Sequence, residues 1–388
     1  MRADAHVHYT PPEISHSLSA LERQEPYWGL LLRSTPEAPS LQGYASAERM
    51  IADMDLAGID RVVLQGEYRQ THESCVARND QVMALMRRWP DRVHAFAMIQ
   101  PLAGHKALAE MQRCLDEGML GVGELGPYAQ GYRLDDPAFL RIAEACVRRE
   151  VPLNLHANEE IGHQYLGKAP TPLRHYYELA RRLPELKLIL SHWGGGLLFY
   201  EIMPEVRRVL RNVWYDTAAS PLLFRTATIF RQALGAVEPH KLLFGSDYPL
   251  LLYPKRQSGP DMQPFVVEIE ALCLEPAVKS AIMGDNASQL LRLEPDDSAR
   301  EAPGSGTMAY RSPLRQPEAS PPITGMSRVA LVGQKWPETK AIFDRYGIPY
   351  EDQPVADWEP IAQAAAARGL NPQRQQCLVD ELNEAIGS

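Results

Sequence analysis

Short apolar, partly β-branched runs recur along the chain at 3–8, 61–64, 94–99, 121–124, 152–156, 187–192, 213–216 and 242–247. Between them lie longer stretches whose apolar positions recur at helical spacing, among them 47–57, 74–88, 106–117, 136–149, 172–182 and 203–210. A run of four to six apolar residues with no alternation suits a strand buried on both faces, as parallel strands are. Strands alternating with amphipathic helices predict a parallel sheet. Eight such units predict closure into a (β/α)8 TIM barrel of the α/β class, for which about 250 residues is typical. No GxGxxG follows the first strand, so the dinucleotide-binding alternative lacks its signature.

The ends of these runs are chemically distinctive. His6 and His8 end the first, Glu124 the fourth, His156 the fifth, His192 the sixth and Asp247 the eighth. In a parallel barrel the C-terminal ends of all strands open onto one face, where active sites form. His6 and His8 stand two apart, so on a strand their side chains share one side. Any one of these residues alone would be an ordinary strand-end or turn residue. Their joint placement predicts a site for a divalent metal ion.

Composition adds a boundary. The segment 294–326 is dense in Pro, Gly and Ser without periodicity, which predicts a linker. It divides the chain into a barrel at 1–293 and a small C-terminal helical domain at 327–388. That domain reads as three helices. Pro337 opens the first and Gly347 stops it; the second spans 358–367; Asn371 caps the third, with Pro372 at its first position. Its apolar seam would hold Ile342, Phe343, Ile361, Ala365, Leu378, Val379 and Leu382. So small a core predicts docking on the barrel or on a second subunit. The 388 residues carry a net charge of −9, which argues against nucleic acid as a partner. There is no signal-peptide pattern and no apolar run of the roughly 18 residues a membrane span needs. The five cysteines are scattered, with no CxxC. The expectation is a cytoplasmic protein that associates with copies of itself and acts on a small molecule, away from membranes.

DAHVH at 4–8, LNLHANEE at 153–160, LILSHWGGG at 188–196 and LLFGSDYPL at 242–250 together resemble the amidohydrolase superfamily. The resemblance is to its amidohydrolase-related, metal-dependent branch, which also holds decarboxylases, and it covers about 1–293. It implies a distorted barrel with Zn²⁺ first, or Mn²⁺, at its mouth. By position, His6, His8 and Asp247 would be ligands, His156 a further one, and His192 a ligand or a catalytic histidine. VGELG at 122–126 resembles the bridging glutamate of TatD-like hydrolases, which implies one or two ions: His6, His8, Glu124 and Asp247 could hold one, and Glu124, His156 and His192 a second. The tail resembles, more distantly, the small helical domain of iron–sulfur-cluster repair proteins, without that family's cysteines.

Glu124 tilts the expected reaction towards hydrolysis. Metal-bound hydroxide would attack an amide, ester, lactone or phosphoester, with Asp247 taking the proton. The alternative is a non-oxidative decarboxylase of an aromatic or unsaturated acid on the same barrel. Arg69, Arg133 and Arg225 fall in loops at the mouth and could fork onto an anionic substrate. His163, Trp193 and Tyr248 are further candidates for substrate contact, and the long stretch 9–46 has the length of a lid.

Overall fold

The computed structural model describes residues 1–34, 39–162, 165, 168, 171–293, 323–349 and 359–386. Eight strands follow one another in chain order around a single sheet: β1 (Ala3–Val7), β2 (Arg61–Leu64), β3 (Val93–Ala97), β4 (Gly121–Leu125), β5 (Leu153–Leu155), β6 (Leu188–Leu190), β7 (Val213–Asp216) and β8 (Leu242–Leu243). Every neighbouring pair is parallel. The last strand returns to the first. Ala5 N donates to Phe244 O at 2.8 Å and Asp247 N to His6 O at 2.9 Å, and Val7 bridges Tyr248. This is the expected (β/α)8 barrel.

The helices form where the sequence supplies starts and stops. Helices α1 (Leu18–Gln24) and α2 (Pro26–Leu32) precede the barrel's outer ring, which begins with α3 (Ala47–Ala57). Ser46 caps α3 by accepting from Arg49 N, and Gly58 ends it in the left-handed region. Thr71 caps α4 (His72–Arg88) in the same way. Helix α5 spans His105–Asp116. Asp136 caps α6 (Pro137–Arg149), with proline at its first position. Helices α7 (Leu173–Arg182) and α8 (Pro204–Val209) follow. The apolar faces of these helices and the strands' outward side chains make one continuous core.

Two differences from the sequence expectation matter. The stretch 9–46 is not simply a long loop. It folds α1 and α2, and α2 buries Tyr27, Trp28, Leu30 and Leu32. Helices at Thr226–Ala236 and Gln263–Glu270 were also not anticipated.

In the tail, Pro337–Thr339 and Lys340–Arg345 make the first expected helix, Ile361–Ala367 the second and Pro372–Ala385 the third. Asn371 Oδ1 accepts from Arg374 N at 2.9 Å, as its position predicted. An additional helix, Val329–Lys335, precedes them. Ile342, Phe343, Ile361, Ala365, Leu378 and Leu382 bury one another with Ile323, Val329 and Val332, in a cluster separate from the barrel core. Residues 294–322, most of the expected linker, lie outside the described residues. The five cysteines are unpaired. Among the described residues no helix is long and apolar enough to cross a membrane.

Candidate metal centre

The barrel brings the strand-end residues together. His6 Nε2 stands 3.2 Å from His8 Nε2 and 4.0 Å from Glu124 Oε2. On the far side of Glu124, its Oε1 lies 2.9 Å from His156 Nδ1 and 3.8 Å from His192 Nε2. Asp247 Oδ1 is 3.5 Å from His8 Nε2, and Oδ2 is 3.9 Å from His192 Nδ1. All six are buried. Two sets could each hold an ion, His6–His8–Glu124 and Glu124–His156–His192, each with its ligand atoms within 4.8 Å of one another.

Local structure explains each placement. The hydrogen bond from Asp247 N to His6 O zips the turn after β8 against β1, and Asp247 takes a left-handed conformation (φ 66°) there. His192 opens a run of left-handed residues, from φ 55° at His192 through Gly196. Such a run needs glycine for space as well as for φ. A Cβ on Gly194 would meet the Tyr215 ring at 2.7 Å, and one on Gly195 would lie 2.3 Å from Asn158 O.

Hydrogen bonds also set which nitrogens face the cluster. Ala218 O can only accept, so the 3.1 Å contact makes His192 Nδ1 the donor and leaves Nε2 its lone pair. His6 Nδ1 donates to Asp216 Oδ2 at 2.9 Å, which turns His6 Nε2 inward to face the cluster. Asp216 also accepts at Oδ1 from His192 N (2.9 Å) and Ala218 N (3.1 Å). One carboxylate thus orients two of the histidines, as outer carboxylates do at metal sites. Asp216 is a candidate site residue absent from the sequence expectation, although it ends β7 as Glu124 and Asp247 end their runs.

The electrostatics favour a cation. Burial works against charging His6, yet Asp216, Glu124 and Asp247 together raise it to about 10. Burial opposes ionisation of Glu124 and Asp216 as well, and the histidines beside them still hold both carboxyls below their usual range. His8 is lowered by burial and by His6. Asp4, pushed up to about 7 by burial, is structural: Oδ1 accepts from His6 N at 3.1 Å and Ser246 N at 3.0 Å.

The remaining sequence candidates fare unequally. Arg69 is buried and ion-paired to Glu67, whose other oxygen accepts from Arg78 at 2.6 Å. Trp193 was expected at the substrate, but the left-handed turn sends its indole into the core. It is 0% exposed, edge-on to Phe230 at 5.1 Å, with Nε1 donating to Ser220 Oγ. Tyr248 points its hydroxyl at Asp53 of α3, 2.8 Å away. Arg133 pairs with Asp135 at 2.8 Å, both side chains 62% exposed, and Arg225 is exposed where the helix Thr226–Ala236 begins. His163 lies outside the described residues.

Other side chains line the mouth instead. The Trp28 ring sits 5.6 Å from that of His8 and 5.5 Å from that of Tyr68, and Tyr68 is 5.2 Å from His156. Trp28 could be read as an aromatic in a mouth loop; Tyr68 carried no signal beyond its place after β2.

Comparison with known proteins agrees with this architecture. A family model described as amidohydrolase matches residues 3–293. A 2-amino-3-carboxymuconate-6-semialdehyde decarboxylase of Dictyostelium discoideum is 22% identical over 250 residues, 56% of this chain. The match spans 66% of that relative, slightly less than two thirds of its length. A 5-carboxyvanillate decarboxylase from Novosphingobium aromaticivorans, solved with manganese and 4-hydroxy-3-methoxy-5-nitrobenzoic acid, superposes with TM-score 0.60 at 18% identity, covering 76% of this chain and 96% of that one. A 2,6-dihydroxybenzoate decarboxylase from Rhizobium gives TM-score 0.55 at 20% identity, covering 76% and 99%. These relatives overturn the expectation of hydrolysis, because each is a decarboxylase. Neither a TatD-like hydrolase nor an iron–sulfur repair protein is among the three.

Proposed function

The chain belongs to the amidohydrolase family, and from that premise we propose that it is a divalent-metal-dependent, non-oxidative decarboxylase of a small aromatic or unsaturated carboxylic acid. One observation carries the reading: His6, His8, Glu124, His156, His192 and Asp247 converge in a single buried cluster at the barrel mouth. The three decarboxylases the chain resembles act on carboxylic acids.

The donor set fits a metal ion. His6 Nε2 and His192 Nε2 both point inward because their other nitrogens donate to Asp216 and Ala218 O. Buried carboxylates and imidazoles gathered this closely call for a cation among them: without metal a proton on His6 fills that place, and a divalent ion would displace it. His6, His8 and Glu124 would hold one ion; Glu124, His156 and His192 would hold a second if two bind. Imidazole and carboxylate donors suit both zinc and manganese, and manganese in the Novosphingobium enzyme supports the latter. A divalent ion held by these residues would supply Lewis acidity to polarise a substrate oxygen.

The chain's own residues do the rest. Asp247 stands between His8 and His192 at the rim of the cluster, where it can carry a proton to the substrate carbon that bears the carboxylate. The bond from that carbon to the carboxyl carbon then breaks, its electron pair stays with the ring or conjugated chain, and carbon dioxide leaves. Trp28 and Tyr68 offer flat faces for such a ring. Arg69 is the arginine best placed for a second anionic group, next to Glu67 in the loop after β2.

The test is metal analysis followed by incubation of the loaded protein with 2,6-dihydroxybenzoate, 5-carboxyvanillate and related acids, with product masses read out. Loss of carbon dioxide is expected. Gain of water, or a protein that retains no divalent metal, would overturn the proposal. Metal stoichiometry in Glu124→Gln counts the ions: a fall from two to one marks a bridging glutamate.

A further inference from the structure

The helical tail lies beyond residue 293, where the family match ends. Its interior is apolar, but four of its buried side chains among the described residues are polar: Thr339, which bonds within the tail to Trp336 O, and Glu359, Gln363 and Gln375. The last three reach the barrel's mouth. Tyr27 Oη donates to Glu359 Oε1 at 3.1 Å, and the Tyr128 hydroxyl bonds the same carboxyl. Gln363 Nε2 donates to Lys168 O at 2.5 Å, and Arg33 Nη1 to Gln375 Oε1 at 3.2 Å. The partners come from the loops after β1 (Tyr27, Arg33), β4 (Tyr128) and β5 (Lys168).

These contacts lead inward. Tyr27 and Tyr128 meet edge to face with centroids 5.4 Å apart, in a small cluster that also holds Trp28, Leu32, Tyr68 and Ala129. Trp28 packs on His8, and Tyr68 on His156. The path from Glu359 to two candidate ligands is therefore Glu359–Tyr27–Trp28–His8, with Tyr68 joining Trp28 to His156. A carboxyl group taken out of water is tolerated only where donors meet it, so Glu359 specifies this docked position more sharply than apolar contact would.

We propose that the C-terminal helices form a fixed roof over the metal centre, in which Glu359 is a positioning residue that sets Trp28 and Tyr68 as the wall against which the substrate ring lies. The substrate part of this rests on the decarboxylase reading; the roof does not.

The test uses the full-length, manganese-loaded protein and its Glu359→Ala and Glu359→Gln variants. Three quantities are read: bound manganese, hydrogen exchange of the amides in 26–32, and affinity for 4-hydroxy-3-methoxy-5-nitrobenzoic acid. Glu359→Ala should leave the manganese content unchanged, speed exchange in 26–32 by about tenfold and weaken the nitrobenzoate by about tenfold, the scale of a lost buried hydrogen bond to a charged group. Glu359→Gln keeps an acceptor oxygen and should recover most of both losses. Should Glu359→Ala fail to fold, Tyr27→Phe removes only the hydroxyl and should speed the same exchange about threefold. Unchanged exchange in 26–32 would overturn the roof. Faster exchange with unchanged nitrobenzoate affinity would overturn the positioning role. If the unsubstituted protein does not bind the nitrobenzoate while exchange responds as stated, the roof stands and the aromatic-acid reading falls.

Discussion

At the floor of the site, six metal-competent side chains leave the ends of barrel strands, and main-chain hydrogen bonds such as Asp247 N to His6 O fix their separations. The wall above is made differently. Trp28 comes from a short helix after β1 and Tyr68 from the loop after β2, and Tyr27, beside Trp28 in the chain, donates to Glu359, 332 residues further along. The floor inherits its geometry from a fold shared with enzymes less than 25% identical. The wall depends on a tail outside the family match. The general reaction should follow the floor, and the choice of substrate should follow the wall.

Substitutions separate the two. The largest effect should come from Asp247→Asn, which keeps the shape but cannot deliver the proton. A loss of decarboxylation of about 10³-fold is expected. Manganese content should be measured alongside, since activity within tenfold of the parent would remove Asp247 from the chemistry. Gly195→Ala attacks the floor through its backbone. The new methyl would lie 2.3 Å from Asn158 O in a residue with φ +60°, so about 3 kcal/mol of stability should be lost in denaturant titration. Gly235→Ala is the control: nothing lies within 4 Å of its added Cβ, and it sits inside the helix Thr226–Ala236. That change should be neutral or stabilising by up to about 1 kcal/mol.

Asp216→Asn should weaken manganese binding about 10–100-fold, because it unsettles the tautomer of His6 and the backbone of His192 together. A normal metal isotherm would mean that barrel hydrogen bonds suffice without it. On the wall, Trp28→Leu should raise KM about fivefold, with metal content and kcat close to the parent, since the lost stacking is worth roughly 1 kcal/mol. A fall in metal content instead would merge wall and floor into one unit.

What could be read from the sequence follows the same division. Strand ends in a parallel barrel converge whatever the loops do, so His6, His8, Glu124, His156, His192 and Asp247 could be placed together from their run endings alone. Asp216 ended a correctly placed strand and was legible by the same rule. Trp193 follows His192 directly, yet the left-handed turn from His192 to Gly196 reverses its direction, and only the packing against Asn158 and Tyr215 shows that turn. The apolar seam of the tail could be read from helical spacing. Its docking face could not, because that face is built of Glu359, Gln363 and Gln375, which look in sequence like solvated positions.

The smallest effect expected is that of Arg133→Ala, and it is informative for that reason. In sequence Arg133 follows β4 in a mouth loop, a natural candidate to grip an anionic substrate. In the fold its guanidinium turns to Asp135, two residues on, and both side chains stay mostly in water. An exposed pair of this kind contributes about 0–1 kcal/mol to stability and nothing to a buried cluster it does not touch. Kinetics of Arg133→Ala should therefore stay within about twofold of the parent, whereas Arg69→Ala, which takes from Glu67 one of its two arginine partners, should not. A large effect at Arg133 would mean that the loop after β4 folds inward over bound substrate, and the wall would then have a third side.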